Sequence, residues 1–271
     1  MTPVTRPSTP SLGGAAPSTV VRAAAVVTGD GVVRDAEVVV EDGLVAAVRP
    51  TRGDVPDVVL GPGFVDLQVN GIGDLDVAVA AGGQWSAFDR ALLSHGVTTW
   101  CPTLTSAPLA DLEHSLARVR EAAARPLQSR PEIAGAHLEG PFLAVAGAHR
   151  PEALRPTVDT AWLAGLGTGV AVVTLAPELP GALEAVARLS AAGTLVAVGH
   201  SACDADAALA AADAGARLVT HVGNAMPPLV ARAPGLVGAA LADPRLSVSL
   251  IADLVHTHPV FVRTAFAAKG P

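Results

Sequence analysis

From residue 64 onward the sequence alternates short apolar runs with stretches of helical spacing, and this alternation restricts the fold most. The apolar runs predict strands at residues 64–69, 97–103, 132–139, 170–176, 194–199, 217–220 and 246–252. Helical spacing predicts helices at residues 85–95, 109–124, 181–192, 205–214 and 259–268. Strands that are apolar on both faces and alternate with helices indicate a parallel sheet covered on both sides.

The number of predicted strands is one short of a closed barrel. A (β/α)8 barrel of the TIM type needs eight parallel strands, and seven can be counted here. We therefore predict an α/β fold over residues 61–271, a barrel that lacks strand eight. Its first and last strands would have unpaired edges, which promote association.

The N-terminal part of the chain has a different pattern. Residues 1–18 are rich in Pro, Ser, Thr and Gly and predict a disordered tail. Residues 19–60 hold Val-rich runs at 20–28, 36–40 and 44–48. Asp30-Gly31 and Asp42-Gly43 separate these runs and are hairpin signals, so we predict a small antiparallel β unit.

Composition narrows the classes of partner. The 271 residues are 50% hydrophobic and carry a net charge of −7, which disfavours nucleic acid or an anionic membrane as the main partner. There is no run of about 18 apolar residues, so we expect a cytoplasmic protein. Cys101 and Cys203 form no CxxC motif and are expected to be buried free thiols.

Three polar residues follow predicted strands and should meet at one end of the barrel. Glu139, His200 and His221 come after the third, fifth and sixth strands, and active sites of such barrels lie at those strand ends. One carboxylate and two imidazoles suit a catalytic zinc site with an open fourth position. Three hydrogen-bonded polar groups that close loops are the alternative.

Other residues of the same face extend this candidate site. His149, Asn224, Arg232 and His256 fall in loops there, and Asn, Arg and His suit a phosphate group, although a solvated Arg is the commoner case. Barrel hydrolases of this type often end strand one with two histidines that hold a second metal. Gln68 and Asn70 stand at those places and are poorer zinc ligands, which indicates one metal ion.

Several motifs together resemble the N-acetylglucosamine-6-phosphate deacetylase family of the amidohydrolase superfamily. They are PGFVDLQVNG at 62–71, HGVTTWCPTLTS at 95–106, HLEGPF at 137–142, GAH at 147–149, VTLAPE at 173–178, VGHS at 198–201, THVGNAMPPL at 220–229, and IAD and VH at 251–256. They follow the family's order from about residue 20 onward. The resemblance implies a β-sandwich portion beside a metal-dependent barrel that is truncated at its C-terminus.

The resemblance also implies a reaction and a set of residues. A metal-activated water would remove acetate from N-acetylglucosamine 6-phosphate, in amino-sugar catabolism. One divalent metal ion, expected to be zinc, would be held by Glu139, His200 and His221, with Gln68 supporting a water. Substrate contacts would come from Ala148, His149, Asn224, Ala225, Arg232 and His256. His149 would also polarise the amide carbonyl, and Arg232 would act across a homodimer of the full-length form.

The chain departs from the family at three places. The family's general acid/base, an aspartate after strand eight, is absent from this chain, and Asp253 belongs to the strand-seven motif instead. Gly223 stands where a bulky residue is usual, and Leu254 stands where a small one is usual. Two other interpretations therefore stay open: a non-catalytic fragment or pseudoenzyme that binds metal or sugar phosphate, and an amidohydrolase with a different amide substrate.

Overall fold

The structure, a computed structural model, describes residues 18–270. Residues 1–17, which contain nearly all of the predicted disordered tail, lie outside the described residues. The described residues form two compact units, which divide between Gly63 and Phe64. Among the described residues, no helix has both the length and the apolar character that a membrane span requires.

The first unit contains one four-stranded sheet in its described part. Its strands are β1 (Thr19–Thr28), β2 (Gly31–Glu41), β3 (Leu44–Pro50) and β4 (Val59–Leu60), in the order β3-β2-β1-β4. The first three pair antiparallel, as predicted, whereas β4 adds to β1 in parallel. In the second hairpin Asp42 and Gly43 both have positive φ, which the tight two-residue turn requires.

The second unit contains the remaining strands and all the α-helices of the described chain. The strands are β5 (Phe64–Val69), β6 (Gly71–Ile72), β7 (Leu75–Asp76), β8 (Val97–Thr105), β9 (Glu132–Ile133), β10 (Ala136–Glu139), β11 (Val170–Leu175), β12 (Leu195–Val198), β13 (Leu218–Val219) and β14 (Ser247–Val248). The helices are α1 (Gln84–Ser94), α2 (Leu109–Ala123), α3 (Thr160–Gly165), α4 (Ala182–Ala191), α5 (Ala205–Ala214), α6 (Gly235–Ala242) and α7 (Pro259–Lys269), with a 3-10 turn at Pro151–Ala153.

The parallel sheet has the strand order expected for an α/β barrel. Its order is β14-β13-β12-β11-β10-β8-β5, and β9 pairs beside β8. Gly135 separates β9 from β10 with φ +141°, so these two pieces form one strand position, and the seven predicted positions are confirmed. Within residues 18–270, β5 pairs with β8 alone and β14 with β13 alone, so the sheet is open.

Two successive layers of side chains fill the inside of this sheet below its carboxyl edge. The lower layer is apolar and contains Cys101, Val172, Ala197 and Leu218. Two residues further along their strands lie Thr103, Thr174, Gly199 and Thr220, so the next layer is polar or small. Side chains of a strand alternate between its faces, so this spacing keeps both layers on the inner face.

Candidate active site

Three sequence-distant side chains meet at the carboxyl edge of the sheet. Glu139 is the last residue of β10, while His200 and His221 each lie two residues beyond β12 and β13. Oε1 of Glu139 is 2.9 Å from Nε2 of His221 and 3.2 Å from Nε2 of His200. The two imidazole nitrogens are 3.1 Å apart, and all three side chains are buried.

This group has the composition and the spacing of a divalent metal site. Its three ligand atoms lie within 4.8 Å of one another. Tetrahedral zinc with bonds of about 2.0–2.1 Å holds its ligand atoms about 3.3 Å apart, close to the separations measured here. The three residues therefore fit one divalent cation.

Hydrogen bonds decide which nitrogen of His200 faces the cluster. Nδ1 of His200 lies 2.9 Å from the carbonyl oxygen of Val145 and donates its proton there. The lone pair of Nε2 then points into the cluster, which is how metal-binding histidines are ordinarily held. The backbone N–H of His221 donates to Oγ of Ser249 at 2.8 Å, whereas Nδ1 of His221 is buried without a hydrogen-bond partner among the described residues.

The Glu139 carboxyl is surrounded by donors. Burial alone would raise its pKa, but the imidazoles of His149, His200 and His221 that lie against it outweigh burial and hold the pKa well below its usual range. The side-chain amide of Gln68 also donates to Oε1 of Glu139, at 2.8 Å. The carboxyl is therefore ionised at neutral pH, as a metal ligand must be.

His149 lies against the same carboxylate with a defined proton position. Its Nδ1 accepts the backbone N–H of Ser106 at 3.1 Å, and Oγ of Ser106 is 2.8 Å away. The proton of a neutral His149 is therefore on Nε2, which is 3.4 Å from Oε2 of Glu139. Ser106 was missed in the sequence, although its place directly after β8 is the signal that singled out Glu139.

A second group of predicted residues lines a neighbouring cavity of about 400 Å³. Asn224 and His256 both line it, together with Thr257 and Phe261. Nδ2 of Asn224 donates to the carbonyl oxygen of His221 at 3.3 Å, so this cavity adjoins the metal-binding group through Asn224.

His256 is held by an acidic residue of the same loop. Oδ2 of Asp253 is 2.6 Å from Nδ1 of His256, and Oδ1 accepts the backbone N–H groups of Val255 and His256. The hydrogen bond from the His256 side chain lowers the pKa of Asp253 to about 2. Nδ1 of His256 therefore carries a proton, and Nε2 is left for a ligand.

The two departures at Gly223 and Leu254 have structural counterparts. A Cβ at Gly223 would lie 3.2 Å from Cε1 of Phe261, so the Phe261 ring takes the space of a side chain at 223. Leu254 has φ +64° and is 66% exposed. A β-carbon is disfavoured in that conformation, which agrees with a small residue being usual there.

The remaining predicted residues are placed as follows. Ala148 is exposed beside His149, and Ala225 has φ +50° next to Asn224. Arg232 is exposed in a turn bounded by the Val230–Ala233 bridge, and it forms no ion pair within residues 18–270. Cys101 and Cys203 are buried free thiols as predicted, and burial raises the pKa of each to about 11.

Known proteins resemble this chain along most of its length. N-acetylglucosamine-6-phosphate deacetylase of Bacillus subtilis is 33% identical over 273 residues, which cover 94% of this chain and 68% of the relative. N-acetylgalactosamine-6-phosphate deacetylase of Escherichia coli is 34% identical over 249 residues, covering 89% and 66%. No protein-family model matches the chain.

A solved structure agrees with these relatives. The N-acetyl-D-glucosamine-6-phosphate deacetylase of Mycobacterium smegmatis, an Asp-to-Ala mutant in complex with N-acetyl-D-glucosamine-6-phosphate, superposes with a TM-score of 0.82 at 34% identity. The match covers 94% of this chain and 68% of that one.

The match extends over only part of the relatives. Vertebrate relatives of the same name are 36–37% identical, and this chain spans about 57% of their length. The Bacillus relative and the Mycobacterium structure are 33% and 34% identical to this chain, and the match covers 68% of the length of each. The chain belongs to the N-acetylglucosamine-6-phosphate deacetylase family.

Proposed function

We propose that this chain takes part in hydrolytic deacetylation of N-acetylglucosamine 6-phosphate. Water adds to the acetamido carbonyl, the carbon–nitrogen bond breaks, and the products are acetate and glucosamine 6-phosphate. The observation that carries the proposal is the convergence of Glu139, His200 and His221, with the His149 proton directed at the same carboxylate. The reactions named for the family's curated relatives support it.

We propose that the cation held by Glu139, His200 and His221 is zinc, since zinc accepts imidazole and carboxylate ligands together. When bound, it supplies a Lewis acid that acidifies water and polarises the amide carbonyl. Ser106 keeps the proton of His149 on Nε2, where it can donate to the carbonyl oxygen of the substrate. Gln68 orients the Glu139 carboxylate and, in this proposal, a water beside it.

The leaving nitrogen requires a proton donor in addition to these groups. Within the described residues the only carboxylate of the metal-binding group is Glu139, which already lies against three imidazoles. A metal ligand held in this way is a poor proton donor, so a different acid must serve the leaving nitrogen.

Substrate binding is assigned to the neighbouring cavity. We propose that Asn224, Ala225 and Ala148 contact the sugar. We also propose that His256 binds the phosphate as an imidazolium, which donates its Nδ1 proton to Asp253 and its Nε2 proton to a phosphate oxygen. Arg232 is exposed and unpaired in the described part of the chain, which suits the proposed contact with a phosphate bound to a second subunit of a homodimer. The proposed location is the cytoplasm.

One further candidate substrate is supported by a specific observation. The Escherichia coli relative acts, by its name, on the galactosamine epimer, so that sugar is a second candidate substrate.

An assay of acetate release tests the proposed reaction and distinguishes the candidate substrates. Purified protein with one equivalent of zinc is assayed with N-acetylglucosamine 6-phosphate, its galactosamine epimer and unphosphorylated N-acetylglucosamine. We expect acetate release from N-acetylglucosamine 6-phosphate. Glu139→Gln should abolish this release and lower the metal affinity more than about 100-fold, which exceeds the usual effect of replacing a residue that only hydrogen-bonds a ligand. Glu113→Gln is the matched control, since Glu113 is exposed and contacts Trp162 instead.

Each result has a distinct meaning. Equal turnover of the unphosphorylated sugar would contradict the phosphate roles of His256 and Arg232. Faster turnover of the galactosamine phosphate would change the substrate. Stoichiometric metal binding without acetate release from any of the three sugars would contradict the proposed reaction and favour a non-catalytic protein that binds metal.

A further inference from the structure

A chain of buried hydrogen bonds runs directly beneath the metal-binding group. Nδ1 of His137 is 2.8 Å from the carbonyl oxygen of Leu67, and Nε2 is 2.7 Å from Oγ1 of Thr174. Oγ1 of Thr174 is in turn 2.8 Å from Oγ1 of Thr220. His137, Thr174 and Thr220 are each at most 1% exposed.

The donor and the acceptor of each bond in this chain of hydrogen bonds can be assigned. The Leu67 carbonyl can only accept, so Nδ1 of His137 donates and Nε2 must accept. The hydroxyl of Thr174 therefore donates to His137, and the Thr174 oxygen accepts from Thr220. Each of these hydrogen bonds therefore pairs one donor with one acceptor, which is the condition for a buried polar network to stiffen its surroundings.

Three of the linked residues lie one or two positions before a ligand or before Gln68 in the sequence. Leu67 precedes Gln68, Thr220 precedes His221, and His137 lies two residues before Glu139 on the same inner face of β10.

The remaining ligand, His200, follows Gly199, which packs against both threonines. A Cβ at Gly199 would lie 2.9 Å from Cγ2 of Thr174 and 3.0 Å from Cβ of Thr220, so the backbone before His200 packs on the hydrogen-bonded chain. The chain of hydrogen bonds thus connects the strand ends that carry all three ligands and Gln68.

The polarity of this layer is unusual for its position. Barrel interiors are ordinarily filled by apolar side chains, as in the layer of Cys101, Val172, Ala197 and Leu218 just below. Valine would fill the space of either threonine. The hydroxyls instead link β10 to β11 and β11 to the end of β13, across β12, through directed bonds close to the ligands.

We propose that His137, Thr174 and Thr220 are positioning residues that set the separation of Glu139, His200 and His221 and thereby the affinity for the metal ion. This inference rests on the proposed metal site and extends it to residues that touch neither metal nor substrate. Outer residues of this kind commonly change metal affinity 10- to 100-fold.

Metal affinity of the full chain tests this role without relying on turnover. The zinc dissociation constant is measured by competition with a chromophoric chelator, and thermal unfolding of the metal-free protein is recorded in parallel. We expect Thr174→Val to raise the dissociation constant about 10- to 100-fold and Thr174→Ser, which keeps the hydroxyl, to stay within about threefold of the wild type.

Ser115→Ala is the control for a purely structural loss. Ser115 is also buried, but its hydroxyl donates to the carbonyl of Ala78 from α2, away from the ligands. We expect lower thermal stability with unchanged zinc affinity. Should Thr174→Val fail to fold, Thr220→Val removes only the last donor and is expected to weaken zinc binding in the same direction.

Valine variants that bind zinc within threefold of the wild type would overturn the positioning role. A wild type that binds no zinc would overturn both this role and the proposed function. Zinc binding without acetate release would overturn the proposed reaction alone, and the affinities of the variants would still decide the role of the threonines.

Discussion

At the residue scale, the chemistry of the candidate site depends on which ring nitrogen of each histidine carries the proton. The proton positions on His200 and His149 depend on Val145 and Ser106, which are 55 and 43 residues away in the chain. Such partners are chosen by three-dimensional proximity, so the sequence pattern could not reveal them.

Gly147 offers a residue-scale prediction. It has φ +54°, and a Cβ there would lie 3.0 Å from Cε1 of His200 and 3.1 Å from Cβ of Ala225. We expect Gly147→Ala to lower the free energy of unfolding by about 1–2 kcal/mol, the cost of a left-handed residue, and to weaken zinc binding at least tenfold by displacing the His200 ring.

Gly73→Ala is the matched control for this prediction. Gly73 has a similar φ of +58°, and nothing lies within 4 Å of its Cβ position. Urea unfolding should show a similar loss of stability, and chelator competition should show unchanged zinc affinity. Equal zinc affinity in both variants would contradict the predicted contact with His200.

At the element scale, strand and helix types were predicted better than their limits. The predicted strands 217–220 and 246–252 reduce to Leu218–Val219 and Ser247–Val248. Hydrophobicity continues beyond the last ladder hydrogen bond, so it overestimates strand length. Helix α6 was not predicted because its sequence GLVGAALA is apolar all round and has no polar face to mark a period.

The connection between α6 and β14 is expected to respond to acid. Hydrogen bonds from Arg245 lower the pKa of Asp243 from 3.8 to about 2, and Nζ of Lys269 donates to the Asp243 carbonyl oxygen at 2.7 Å. A lowered pKa means that the ionised carboxylate stabilises the fold. This contribution is complete above about pH 5 and is lost as the pH falls to about 2.

The variant Asp243→Asn should therefore be less stable than the wild type at pH 7, with a difference that shrinks between about pH 5 and pH 2. Urea unfolding midpoints across this range measure the difference. Asp74→Asn is the control, since Asp74 is exposed and makes no hydrogen bond in the described part of the chain. A difference that is constant with pH would contradict the Asp243–Arg245 pairing.

At the scale of the whole molecule, the metal-binding group joins strands that are separate along the chain. Glu139, His200 and His221 follow three different strands of one sheet, so the complete ligand set exists only in the folded state. A cation that binds the folded state and not the unfolded chain stabilises folding by mass action.

Zinc at about 100 times its dissociation constant should therefore add about 2.7 kcal/mol to the free energy of unfolding. For a chain of this size that corresponds to a rise in Tm of about 5–10 °C. Differential scanning fluorimetry with excess chelator and then with added zinc measures the rise. Glu139→Gln should show no rise, and a similar rise in that variant would indicate zinc binding elsewhere.

The sequence by itself determined the strand–helix alternation, the number of strand positions in the parallel sheet, the two hairpins of the first unit and the three candidate ligands. These features depend on local periodicity and on the rule that parallel strands present their carboxyl ends at one edge. Only the tertiary structure decided the proton positions, the cavity shared by Asn224 and His256, and the buried chain through His137, Thr174 and Thr220. These depend on strand register and side-chain direction, which bring together residues that are tens of positions apart.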